Sequence, residues 1–198
     1  WEDDVSDLQS CPETIIRRYR VTDDCGNFIF VEQTITIEDT QIPVMEAAPA
    51  DIAYQCLADV PVIADLGWTD NCDGAGLSVG AEVSDGATCP ETITRTWTYT
   101  DACGNVSLAA VQTILIDDTQ APTGTAPVAV LVECVGDVPA NDILLITDEA
   151  DSCTVAPVVA FVGDVSDGLT CPETITRTYS ITDDCGNATT IQQNITAI

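Results

Sequence analysis

The chain has 198 residues, a formal net charge of −28 and ten cysteines; it lacks His and Lys, and its five cations are all Arg. Without His or Lys, the commonest general base, the usual neutral metal ligand and the Schiff-base amine are missing, which disfavours an enzyme and leaves only carboxylate chemistry. The acidity repels nucleic acid and anionic lipid, while 45% hydrophobic against 19% charged residues excludes disorder.

In chain order, the first recognisable unit is Cys11-Pro-Glu-Thr running to Cys25-Gly-Asn27. It recurs without a gap as Cys89-Pro-Glu-Thr to Cys103-Gly-Asn105 and as Cys171-Pro-Glu-Thr to Cys185-Gly-Asn187, at offsets of 78 and 82 residues. Between the copies lie matching joints, Glu38-Asp39-Thr40-Gln41-Ile-Pro43 and Asp117-Asp118-Thr119-Gln120-Ala-Pro122. An upstream half, Gln55-Cys56 to Asp70-Asn-Cys72, has its counterpart in Glu133-Cys134 to Asp151-Ser-Cys153. Such self-similarity reads as an array: a half-repeat (1–41) and two complete repeats (42–120 and 121–198). It reads as a slice of a longer array, with any signal or anchor outside this segment.

Within repeat 42–120, short strands are expected around Ala47–Cys56, Val62–Thr69 and Leu77–Val83. Thr92–Tyr99 alternates strictly, placing Ile93, Arg95, Trp97 and Tyr99 on one face and four Thr on the other. Gly104-Asn105 makes a tight turn, and Ser107–Ile116 returns as a β-branched strand. About seven short strands per repeat and no helical period predict an all-β chain of tandem immunoglobulin-like β-sandwich modules.

No two cysteines lie closer than 14 positions, whereas zinc sites favour tight Cys pairs with His. Disulfides, and therefore an oxidising, extracellular or cell-surface location, are the expectation. Cys89 and Cys103 bracket an extended strand of roughly 40 Å and are too far apart to pair with each other. Placing Cys56 and Cys89 at one pole and Cys72 and Cys103 at the other predicts two staples per module: Cys56–Cys89 and Cys72–Cys103, then Cys134–Cys171 and Cys153–Cys185. Cys11 and Cys25 are left for upstream or intermolecular partners.

The run Cys-Pro-Glu-Thr-Ile-Thr-Arg-Thr-Tyr, then Thr-Asp-Xaa-Cys-Gly-Asn, then Asp-Thr-Gln-Ala-Pro resembles the hyalin-repeat-like modules of very large bacterial surface proteins, including gliding-motility adhesins exported by type IX secretion. The resemblance spans essentially the whole chain. It implies an immunoglobulin-like fold, export to the cell surface and a role in stalks or adhesion, and it carries no catalytic residues.

Acids recur at matching places. Asp39, Asp117 and Asp118 sit at the joints; Asp101, Asp183 and Asp23-Asp24 precede Cys-Gly-Asn; Asp70 and Asp73 flank Cys72, with Asp148 and Asp151 near Cys153. Calcium, which takes six to eight oxygens, is the candidate cofactor, with Asp39, Asp70, Asp101, Asp117, Asp118 and Asp183 as candidate ligands. The competing reading is turn capping and protection of sheet edges. Arg17, Arg95 and Arg177 share one slot on an apolar face, where a carboxylate partner is expected. Trp68 and Trp97 read as core aromatics.

These features point to a structural repeat of an extracellular filament or adhesin stalk, without catalysis. The alternative is a calcium-dependent module that binds glycans or proteins. The expected partners are neighbouring repeats, or identical subunits completing the half-repeat, together with surface glycans or proteins. Neither nucleic acid nor membrane insertion is expected.

Overall fold

The computed structural model describes residues 1–198. Every long element is a strand, and only short 3₁₀ turns interrupt them. β1 (Asp3–Ser6), β2 (Glu13–Thr22) and β3 (Phe28–Ile37) form one antiparallel sheet. β4 (Val44–Met45), β6 (Leu66–Asp70) and β7 (Gly74–Ser78) form another three-stranded sheet. β5 (Ile52–Tyr54), β8 (Ala81–Ser84), β9 (Glu91–Trp97) and β10 (Ala110–Ile116) make a four-stranded sheet in the order β5-β10-β9-β8. The last repeat reproduces that order with β11 (Val130–Val132), β14 (Ala188–Ala197), β13 (Glu173–Thr182) and β12 (Val158–Ser166).

Contacts group the residues into two compact units whose limits differ from those of the sequence repeats. One comprises 1–50, 63–83 and 94–112; the other comprises 51–62, 84–93 and 113–198. In the first, the two sheet layers meet through aromatic side chains. Trp68 stacks on Tyr99 with ring centroids 3.5 Å apart, the Trp97 indole donates to the Ala64 carbonyl at 2.9 Å, and Gly80 has no room for a Cβ beside Trp97 and Ile63. In the second, Ile93, Ile114 and Ile116 cluster with Tyr54 and Val60, and Ile146, Tyr179 and Ile181 cluster with Val159 and Ile191. Alternation thus places the inward residues as expected. The predicted strand Leu77–Val83 divides into β7 and β8 because the chain passes there from one sheet to another.

In residues 1–41 the equivalent face has no second layer of its own. Val21 is 54% exposed where Ile181, at the matching position, is 0%, and Phe28, Ile29, Phe30 and Val31 are also exposed.

The Arg slot is filled as expected from electrostatics. The register sets Asp4 beside Arg17 and Asp164 beside Arg177, and Arg95 pairs with Glu82. Arg17 and Trp1 hold the Asp4 carboxyl down at about 2. Arg177 is 4% exposed and makes two parallel bonds of 2.8 Å to Asp164. Removing one member of a largely buried pair strands the other, whereas an exposed pair contributes little. Asp164→Ala is therefore expected to cost about 2–3 kcal/mol in urea unfolding, while Asp4→Ala leaves the midpoint essentially unchanged.

Candidate functional site

The sites of interest are the joints, and the strand register places them. Tyr54 lies opposite Ile116 in the parallel pair β5–β10, so Cys56, just past β5, emerges where β10 runs into Asp117 and Asp118. In the last repeat Val132 and Glu173 both lie opposite Ala197, which sets Cys134 and Cys171 at one pole. The hairpin beyond Thr182 and Ala188 carries Cys185 to the opposite pole.

That hairpin is locked by its own Asp. The Asp101 carboxylate accepts from the Cys103 and Asn105 backbone amides and from the Asn105 side chain, at 2.8–2.9 Å. Asp23 and Asp183 repeat the arrangement. Gly26, Gly104 and Gly186 each adopt φ of +86° to +88°, the left-handed geometry that glycine accepts without strain. The Asn side chain also reaches the preceding joint: Asn105 donates to the Asp39 carbonyl at 3.0 Å and Asn187 to the Asp118 carbonyl at 2.8 Å. Pro43 and Pro122, at the ends of the joints, are fully buried.

The disulfides correct the expected pairing. The structure contains Cys11–Cys103, Cys56–Cys153 and Cys89–Cys185, with Cα separations of 5.1, 5.1 and 5.3 Å. None of Cys56–Cys89, Cys72–Cys103, Cys134–Cys171 or Cys153–Cys185 forms. Cys11, expected to lack a partner within the chain, has one, whereas Cys25, Cys72, Cys134 and Cys171 are free and exposed. The pole assignment was sound, since Cys56 and Cys89 do line one cleft. Cys153 and Cys185 line that same cleft from the following repeat. A pole of one repeat is also the joint to the next, so its thiols meet the neighbour's thiols instead of each other.

Acids gather at the same places. Carboxylate oxygens of Asp39, Asp70 and Asp101 lie within 4.8 Å of one another, as do those of Asp118 and Asp151 together with the Cys153 sulfur. Of the predicted ligand set, Asp39, Asp70 and Asp101 come together. Asp118 is joined by Asp151, which that set omitted, and Asp117 and Asp183 belong to neither group. Asp39 is held below the usual carboxylate range by the Gln41 amide and the Asn71 side chain. The Thr154 amide does the same for Asp151. Burial, then the nearby Asp39 carboxylate, pushes the free Cys72 thiol up.

Residues 44–116 match the HYR-like domain with 4 cysteines. The matched stretch contains Cys56, Cys72, Cys89 and Cys103, and the same four classes of cysteine recur around it. No curated protein matches the chain. Among solved structures, one described as "Protocadherin gammaB7 EC3-6 cis-dimer structure" aligns at 13% identity and a TM-score of 0.33, covering 93% of this chain and 60% of that one. The all-β assignment rests on the strands themselves.

Proteolytic mapping of the unreduced protein, with free thiols alkylated first, is expected to yield linked peptides containing Cys56 with Cys153 and Cys89 with Cys185. Recovery of a Cys56–Cys89 peptide would refute the cross-joint pairing.

Proposed function

We propose that this chain is a segment of a tension-carrying extracellular array, such as an adhesin stalk or surface filament, in which HYR-like repeats are fastened covalently to their neighbours. One observation carries this reading: every disulfide ties a cysteine in one sequence repeat to a cysteine in the next, at separations of 92, 97 and 96 residues. Taking 1–41, 42–120 and 121–198 as the repeats, the rule is simple. The cysteine before Pro-Glu-Thr bonds the Cys-Gly-Asn cysteine of the following repeat, and the cysteine after β5 bonds the Cys72-type cysteine of the following repeat.

The four free thiols fit the same rule. Cys25 and Cys72 are of the classes that accept from a preceding repeat; Cys134 and Cys171 are of the classes that reach to a following one. The partners are therefore further repeats of the same kind, in the same chain or in an adjoining copy. Disulfides of this kind belong to an oxidising exterior, and the strong negative charge keeps a concentrated surface polymer soluble. The resemblance to bacterial surface adhesins supports the same setting. No helix is long and apolar enough to cross a membrane. The repetition of the same acids in each repeat argues for architecture over catalysis.

Lengthening the array tests this reading. When one more repeat is added after residue 198, its two accepting cysteines close Cys134 and Cys171, and its two donating cysteines stay open. A thiol titration of the folded protein should then give four free thiols, as in the present chain, however many repeats are added. A count that changes with repeat number would overturn the proposal.

A further inference from the structure

We propose that each joint between repeats is a calcium site, built from the Asp39, Asp70 and Asp101 carboxylates at the first joint and from the Asp118 and Asp151 carboxylates at the second. The inference stands on side-chain geometry and does not require the stalk reading.

The bonding of each acid divides its two oxygens. Asp39 uses Oδ1 to accept from the Gln41 amide and the Asn71 side chain, and its Oδ2 is buried without a hydrogen-bond partner. Asp70 uses Oδ1 for the Cys72 and Asp73 amides, and its Oδ2 is likewise buried and bare. Asp118 uses Oδ1 for the Gln120 amide, and again Oδ2 is buried and bare. Asp39 is 9% exposed and Asp118 4%, so both are more than nine-tenths buried. A buried carboxylate oxygen with no donor is costly, and the same defect occurs at corresponding positions of two joints.

The electrostatics sharpen the point. The ion pairs of Arg17, Arg18, Arg95 and Arg177 go to Asp4, Asp3, Glu82 and Asp164. A divalent cation supplies the missing positive charge. The donor set selects which one. The grouped donors at the first joint are carboxylate oxygens, the Cys153 sulfur at the second is tied up in a disulfide, and the chain has no His. Calcium–oxygen distances are about 2.3–2.6 Å, so two ligands on opposite sides of one ion stand about 5 Å apart. The carboxylate oxygens of each group lie within 4.8 Å of one another, which suits a single ion with water completing its shell. Three acids at the first joint against two at the second predict tighter binding at the first. The ion would link the joint residue to the two loops that bear Cys72 and Cys103, and to the loop that bears Cys153.

The test is calorimetric titration of chelator-treated full-length chain with calcium chloride in about 0.15 M NaCl, where diffuse charge effects are screened. The expected result is one saturable site per joint. Asp39→Asn should weaken the first roughly tenfold or more and leave the second, and Asp118→Asn should do the reverse. Asparagine keeps the Oδ1 acceptor, and circular dichroism checks that each variant folds. Because a variant could still unfold, the unaltered chain gives a second reading: millimolar calcium should raise its melting temperature more than equal magnesium does. Absence of saturable uptake, two sites persisting in the doubly substituted chain, or equal effects of calcium and magnesium on melting would each overturn the proposal.

Discussion

The covalent bonds across the joints are the constraint on which the rest of this architecture depends. Each repeat buries a modest apolar core, with clusters such as Ile93, Ile114 and Ile116 or Ile146, Tyr179 and Ile181. A domain of this size has little to spare against chain entropy. A disulfide that closes a loop of nearly one hundred residues contributes about 4–5 kcal/mol in the chain-entropy account. Closing it across the joint has a second effect that a staple inside one repeat lacks: it ties neighbouring repeats to each other covalently. The overlapping loops also tie the folding of each repeat to that of its neighbour, consistent with contact units that straddle the sequence repeats.

The non-covalent details at each joint serve the same end. Asn105 and Asn187 use one side-chain amide to close their own hairpin through Asp101 or Asp183 and to grip the carbonyl of the joint residue. The Cys-Gly-Asn turn is therefore a connector as much as a turn, and its cysteine is presented in a fixed place. The cost is electrostatic, since these connectors concentrate acids where chain segments converge, in a molecule whose net charge is already −28. Buried Asp39 and Asp118 place that cost at the joints themselves.

Much of this was legible in the sequence. Strict alternation in Thr92–Tyr99 gave the inward face, and the Arg slot demanded the carboxylates that Asp4, Glu82 and Asp164 supply; the compact units, by contrast, straddle the sequence repeats. The poles at which the cysteines lie were also readable. Their partners were not, for a physical reason: every repeat carries the same four cysteine classes, so each cysteine has candidate partners both in its own repeat and in the next. Only the approach of Cys153 and Cys185 to Cys56 and Cys89 across the joint separates the two. Asp151 was missed as a companion of Asp118 because turn capping by its Oδ1 hides what its position adds. Asp183 matches Asp101 in sequence, yet it stands outside the second acidic group.

The central claim is that tension passes from repeat to repeat through disulfides, and pulling on the chain tests it most directly. With the free thiols of the native protein alkylated and handles at both ends, the shortest covalent route runs through Cys11–Cys103 and Cys89–Cys185. It leaves roughly 40 residues to extend, about 130 Å at ~3.5 Å per residue. The account predicts that full extension under non-reducing conditions stops near that value and lengthens several-fold on adding reductant. An oxidised chain that extends to about 450 Å, the reach left by staples confined within single repeats, would contradict it.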